Sequence, residues 1–163
     1  MEIYIFRHGI AEEGHAGQPD SERALTSEGK KKLRNVLRAV HEAGIQPSLI
    51  LTSPYRRAVQ TAQMAVEILE YKGDLLRTKA LEPSSHPRMV WDEIRVHKNE
   101  RQILLAGHDP IFSSLTAYLL GCPNLQVDFK KGAIVCVEID RFDPEPHGVL
   151  KWMLTSRLAG GQV

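Results

Sequence analysis

Met1-Glu2-Ile3-Tyr4-Ile5-Phe6-Arg7-His8-Gly9 sets an apolar run directly before an arginine, a histidine and a glycine. Ile3 to Phe6 is an apolar run of strand length and strand composition. It delivers an arginine and a histidine to its C-terminal end, where Gly9 frees the following turn. In open α/β sheets the carboxyl ends of the strands are where ligands bind.

Runs of the same character recur at Leu49 to Thr52, Leu75 to Thr78, Ile103 to Ala106, Ile134 to Ile139 and Val149 to Leu154, separated mostly by helical periodicity. This alternation predicts an α/β fold with about six strands. Leu33, Val36, Leu37 and Val40 follow helical spacing up to a stop at Gly44, with lysines and arginines on the other side. After the second run, Ser53 is expected to cap a helix that opens at Pro54 and buries Ala58, Ala62, Ala65 and Leu69. Asp109 and Pro110 repeat that construction after the fourth run, in a helix through Leu115 and Leu119 that stops at Gly121-Cys122-Pro123. A shorter helix is expected within Pro87 to Lys98, with Val90, Ile94 and His97 on one face. Gly14 to Ser21 and Asp143 to Gly148 read as loops, the last two strands as an antiparallel pair, and Ala159 to Val163 as a disordered tail.

At 163 residues, with 42% hydrophobic and 25% charged residues, the chain is expected to form one domain spanning 1–163. Its 21 basic and 20 acidic side chains leave a formal charge of +1, which gives no field that would imply nucleic acid or an anionic membrane as partner. The apolar runs are too short to span a bilayer and Met1 to Phe6 lacks a basic leader, so a cytoplasmic protein is expected. Cys122 and Cys136 share no motif and are expected as core thiols. With no metal-ligand cluster, no metal and no other cofactor are expected.

Three strand ends carry Arg7-His8, Ser53-Pro54-Tyr55-Arg56-Arg57 and Gly107-His108. A parallel sheet would gather them above its C-terminal edge, together with two helix N-termini. That collection of cations and unpaired N–H groups suits an anion with several oxygens, best a phosphoryl group. With no Walker loop and no catalytic cysteine motif in the chain, the expected nucleophile is an imidazole, and His8 lies nearest the glycine turn. Neighbouring guanidinium groups would keep it unprotonated near neutral pH.

These residues resemble the histidine phosphatase superfamily, whose pattern is Arg-His-Gly after the first strand, an Arg-Ala-x-Gln-Thr helix start and a later histidine. Arg7-His8-Gly9, Arg57-Ala58-Val59-Gln60-Thr61 and Gly107-His108-Asp109-Pro110 supply all three, and Leu25-Thr26-Ser27-Glu28-Gly29 is similar to the family's Leu-Thr-x-x-Gly helix entry. Within the superfamily the short chain resembles the SixA-type phosphohistidine phosphatases over roughly residues 1 to 155. The resemblance implies a phosphoglycerate mutase-like fold, a three-layer α/β/α sandwich around a mixed, mostly parallel sheet with an antiparallel strand near an edge. It implies that His8 becomes phosphorylated, that Arg7, Arg57 and His108 hold the phosphoryl group, that Arg23 joins the phosphate pocket, and that no metal takes part. A phosphohistidine-containing protein, such as a phosphotransfer domain, is the implied partner, and a monomer is expected.

Glu82 stands where many superfamily members carry a glutamate that protonates the leaving oxygen, and it reads equally well as a surface residue beside Pro83. A phosphoramidate leaving nitrogen is basic enough to be protonated by solvent, so the role of Glu82 bears on substrate class. Removal of phosphate from phosphohistidine in a protein leads, followed by a broad or small-molecule phosphomonoesterase. A phospho-ligand binding module without turnover and a phosphoglycerate mutase rank below both. Asp109 is accounted for as a helix cap, Tyr55 as a rim or core aromatic, and Trp91 and Trp152 as packing residues.

Overall fold

A computed structural model describes residues 1–160. Six strands form one sheet: β1 (Glu2–Arg7), β2 (Leu49–Thr52), β3 (Leu75–Arg77), β4 (Gln102–Gly107), β5 (Ile134–Glu138) and β6 (Val149–Leu154). Their order across it is β3-β2-β4-β1-β5-β6. β1, β2, β3 and β4 pair in parallel, whereas β5 runs antiparallel to both β1 and β6, so a single strand next to one edge is reversed.

Each face of the sheet is covered by helices, which is why β1 and β4 read as continuous apolar runs. Tyr4 and Phe6 alternate with Ile3 and Ile5 along β1 and enter separate cores. The first core is closed by α1 (Ser27–Glu42) and α2 (Arg56–Ile68), through Leu33, Val36, Leu37, Ala62 and Ala65. The second is closed by α3 (Pro87–Val96) and α4 (Ile111–Leu119), through Val90, Trp91, Ile94, Phe112 and Leu115. The short α5 (Ser156–Ala159) follows β6. The three-layer α/β/α sandwich is thereby established.

Helix ends follow local chemistry where side chains are free to serve. Thr26 caps α1 by accepting from the Gly29 N–H at 2.9 Å, and Gly44 just past its end takes a left-handed φ of 78°. His86 caps α3 through Nδ1, and Pro87 occupies its first turn.

Two predicted caps are displaced. Ser53 is still tied into the sheet, its N–H bonded to the Ala106 carbonyl at 2.9 Å, so α2 begins at Arg56 with Tyr55 as its N-cap. Pro110 rather than Asp109 is the N-cap residue of α4, and Asp109 Oδ1 reaches inward to accept from both the N–H and the hydroxyl of Ser113 at 2.9 and 2.6 Å. Cys122, expected in the core, is exposed beyond the end of α4, and only Cys136 is buried. The loop 14–21 ends in a 3-10 turn, Asp20–Glu22, and Ala159 closes α5 where a disordered tail was expected; 161–163 lie outside the described residues. Among the described residues no helix is long and apolar enough to cross a membrane.

Candidate active site

Sheet register assembles the site. Arg7 lies opposite Gly107 in the β1–β4 pair, and the His8 N–H donates to the Gly107 carbonyl at 2.9 Å, so His8 and His108 leave neighbouring strands at the same level. Thr52 lies opposite Ala106 in the β2–β4 pair, which puts Ser53 at that level too. All three side chains are buried: His8 is 6% exposed, His108 1% and Ser53 0%. The two imidazoles meet edge to face with centroids 5.1 Å apart.

Hydrogen bonds settle the state of His8. Its Nδ1 lies 2.7 Å from the Gly9 carbonyl, which can only accept, so Nδ1 carries the proton. Arg57 Nε, which can only donate, points to His8 Nε2 at 3.3 Å. Nε2 is therefore an unprotonated nitrogen aimed at a guanidinium. Burial pushes the His8 pKa down to about 3; the Gly9 carbonyl opposes this, while Arg57, Arg7 and Lys131 add to it. The guanidinium groups act in the expected direction, but burial is the larger cause.

His108 is held from one side. Its Nε2 lies 2.8 Å from Ser53 Oγ, which in turn accepts the Tyr55 N–H at 3.2 Å. With the Ser53 hydroxyl donating to Nε2, this neutral imidazole would carry its N–H on Nδ1. His108 Nδ1 is buried and has no hydrogen-bond partner among the described residues. Burial, then His8 and Arg57, lower the His108 pKa to about 3, against an opposing pull from Asp20. The Tyr55 ring packs edge-on against His108 at 5.1 Å, on the pocket side of the helix start.

The arginines are anchored by backbone and by one acid. Arg7 Nη1 donates to the Phe129 carbonyl, while Arg7 Nε is buried without a partner among the described residues. Arg57, 5% exposed, donates to the Asp20 carbonyl at 2.9 Å and to its carboxylate at 3.1 Å. Arg23 Nε reaches the other oxygen of the same carboxylate at 2.8 Å, and its Nη1 donates to the Glu12 carbonyl at 3.0 Å. Burial, the largest single influence, raises the Asp20 pKa, but the hydrogen bonds and charges of Arg23 and Arg57 together outweigh it and hold the carboxyl below its ordinary value. Arg23 thus joins the cluster through Asp20, on the exposed side.

Several motif residues turn out to hold the loop that follows the histidine. Gln60 Oε1 accepts the Leu25 N–H at 2.7 Å, and Thr61 Oγ1 accepts the Gly9 N–H at 3.3 Å. The Thr26 N–H and hydroxyl both donate to the Ile10 carbonyl, at 2.9 and 3.3 Å. A Cβ on Gly29 would strike the Ile10 backbone. Ser53, Asp20 and the Phe129 carbonyl are the site groups that sequence reasoning missed.

Glu82 lies just past the 3-10 turn Lys79–Leu81, which leaves the same sheet edge, where the Thr78 N–H bonds the Thr52 carbonyl at 2.9 Å. It is partly exposed, and among the described residues its carboxylate has no hydrogen bond or ion pair. Among the described residues no three His, Cys, Asp or Glu side chains gather as a metal group. The nitrogens that converge on His8 suit an anion.

Residues 3–79 match the family model of the histidine phosphatase superfamily, branch 1. Over 158 residues the chain is 27% identical to phosphohistidine phosphatase SixA of Escherichia coli strain K12, covering 95% of this chain and 94% of that one. The fold matches the structure of the protein histidine phosphatase SixA complexed with tungstate at a TM-score of 0.85 and 25% identity, over 96% of this chain and 97% of the other. The chain belongs to the histidine phosphatase superfamily. An uncharacterized protein of Picosynechococcus is a further relative of this superfamily member, 30% identical over 137 residues and 83% of each chain. Gln60, Thr61 and Gly29, which stand in the same motifs as the site residues, keep the loop after His8 in place.

Proposed function

We propose that this enzyme removes phosphate from phosphohistidine in proteins through a covalent phosphoryl intermediate on His8. The observation that carries the reading is a neutral His8 with Nε2 unprotonated, flanked by two buried nitrogens, Arg7 Nε and His108 Nδ1, that lack partners among the described residues. Buried donors are nearly always satisfied, and phosphoryl oxygens would satisfy these two. The likeness to SixA of Escherichia coli, named for phosphohistidine, supports the substrate class.

In the first step the His8 Nε2 lone pair attacks phosphorus in line and the substrate P–N bond breaks, its electron pair passing to the leaving imidazole nitrogen, which takes a proton from solvent. Arg57, already at Nε2, and Arg7 and His108 donate to the equatorial oxygens, where charge is spread in the transition state. Ser53 orients His108 by accepting nothing from it and donating to Nε2, which directs the Nδ1 proton toward the phosphoryl group. In the second step water attacks the phosphohistidine, the P–Nε2 electrons return to His8, and inorganic phosphate leaves. Arg23 contributes at the rim through Asp20. The guanidinium groups supply the positive charge that a divalent metal brings in other phosphoryl-transfer sites, so turnover is read as metal-independent.

The test compares the protein and its His8→Ala variant on a phosphohistidine-bearing protein and on p-nitrophenyl phosphate, each with and without EDTA. Rapid His8-dependent loss from phosphohistidine, indifferent to EDTA and with feeble ester turnover, is expected. Strong ester turnover that drops on Glu82→Gln would instead make the protein a phosphomonoesterase with Glu82 as its acid.

A further inference from the structure

On the β5–β6 side of the sheet edge, a cleft of about 930 Å³ opens directly against the site, with Arg7 as the shared wall. Lys32 of α1, Lys130 and Lys131 ahead of β5, and Arg157 of α5 line it, against a single acid, Asp128. The four outer cations are all exposed. Lys32 is paired with Glu28 and Lys130 with Asp128, each at 3.2 Å, whereas Lys131 and Arg157 have no ion-pair partner among the described residues. Since the chain's formal charge is only +1, this concentration of positive charge is local. Its field extends to the nucleophile, because Lys131 is one of the charges acting on His8.

The distribution argues about the occupant. Sites for small molecules enclose most of the ligand and fix it with a few convergent polar groups. Here the outer charges sit on long exposed side chains from three separated segments, an arrangement that attracts and orients an oppositely charged surface and mainly affects encounter rate and partner choice. We propose that this cleft seats an acidic polypeptide surface flanking the phosphorylated histidine of a protein substrate. The proposal rests on the reading of the site as a protein phosphohistidine phosphatase and adds what that reading leaves open, the property by which substrates are selected.

Two synthetic phosphohistidine peptides, one flanked by glutamates and one by lysines, test it together with phosphoimidazole, which reaches only the catalytic pocket. The native protein is expected to favour the glutamate-flanked peptide by about tenfold in kcat/KM at low ionic strength, with the preference shrinking as salt screens it. Lys130→Glu combined with Arg157→Glu is expected to abolish or reverse the preference while leaving phosphoimidazole hydrolysis unchanged, which also shows that the variant is folded. Equal rates on both peptides, or a preference that survives the charge reversal, would overturn the docking role. A second measurement, fluorescence-anisotropy binding of the unphosphorylated glutamate- and lysine-flanked peptides, needs no turnover. Loss of all phosphohistidine hydrolysis alongside retained, reversal-sensitive binding of the acidic peptide would reject the reaction and keep the docking surface; no binding preference would reject the surface whatever the reaction.

Discussion

Acidification should destabilise this protein through its own active site. His8 and His108 are folded in neutral form with pKa values pushed down to about 3 by burial first and by neighbouring positive charge second. In the unfolded chain each imidazole regains its ordinary value of about 6.5. The folded pKa is the lower one, so the unfolded state binds more protons below about pH 6.5, and stability is full above that value and falls as pH drops towards about 3. Going from about pH 8 to about pH 5 spans roughly 1.5 units of that window, and at about 1.36 kcal/mol per proton per unit each histidine costs about 2 kcal/mol, the pair about 4. Set against a total of about 5–15 kcal/mol for a domain, that is a large fraction. Urea unfolding at the two pH values, for the native chain and for His8→Gln, isolates the effect, since other titrating groups cancel in the comparison. The native chain should lose about 2 kcal/mol more than the variant. Equal losses in the two proteins would refute the assignment of His8 as a buried neutral imidazole.

Two further outcomes follow from single contacts. Ser53→Ala removes the group that fixes His108 Nε2, and kcat on a phosphohistidine substrate should fall about tenfold with the fold intact. Nitrogen-15 NMR of His108 should show the Nδ1–H tautomer in the native protein and a mixture in the variant, and an unchanged spectrum would remove Ser53 from the mechanism. Gly29→Ala lies in the first turn of α1, where helix propensity alone predicts a gain of about 1 kcal/mol. Because the added Cβ meets the Ile10 backbone, a net loss of about 2 kcal/mol in urea unfolding is expected instead, and a gain would mean that loop and helix are less closely seated than the structure has them.

Most of the architecture was legible because the strands carry it in consecutive residues. Ile3 to Phe6 and Ile103 to Ala106 are fully buried on both faces, so their runs are apolar without interruption and cannot be mistaken for loops. The sheet's mixed character was legible too, through the Pro- and Gly-containing loop between β5 and β6. What local pattern could not tell was which of two plausible roles one side chain takes. Ser53 before a proline has every mark of a helix cap; only the register of β2 against β4 shows that its N–H belongs to the sheet and its hydroxyl to His108. Asp109 missed its expected place by one residue for a similar reason, its carboxylate being used by Ser113 within the first turn.

The site groups that escaped the sequence share a physical property: none of them is marked by residue type or spacing. The carbonyl that anchors Arg7 belongs to Phe129, and a backbone carbonyl is the same at every position. Asp20 stands in an irregular loop among other acids, and only its position between Arg23 and Arg57 distinguishes it from them. The groups that sequence did reveal, Arg7, His8, Arg57 and His108, sit on strand ends or in the first turn of a helix, where the backbone is fixed by ladder hydrogen bonds. Arg23 and Asp20 sit on the loop and its 3-10 turn, and both are more exposed. Rigid elements thus hold the two imidazoles and the buried Arg57 guanidinium, while the surrounding loop carries the more exposed charges. The loop is nevertheless tied at Ile10, Leu25 and Gly9 by Thr26, Gln60 and Thr61. That tie accounts for motif residues whose contacts are to the loop alone: the loop must be in register for Gly9 to present its carbonyl to His8 Nδ1, the bond that fixes the tautomer of His8 and leaves Nε2 unprotonated.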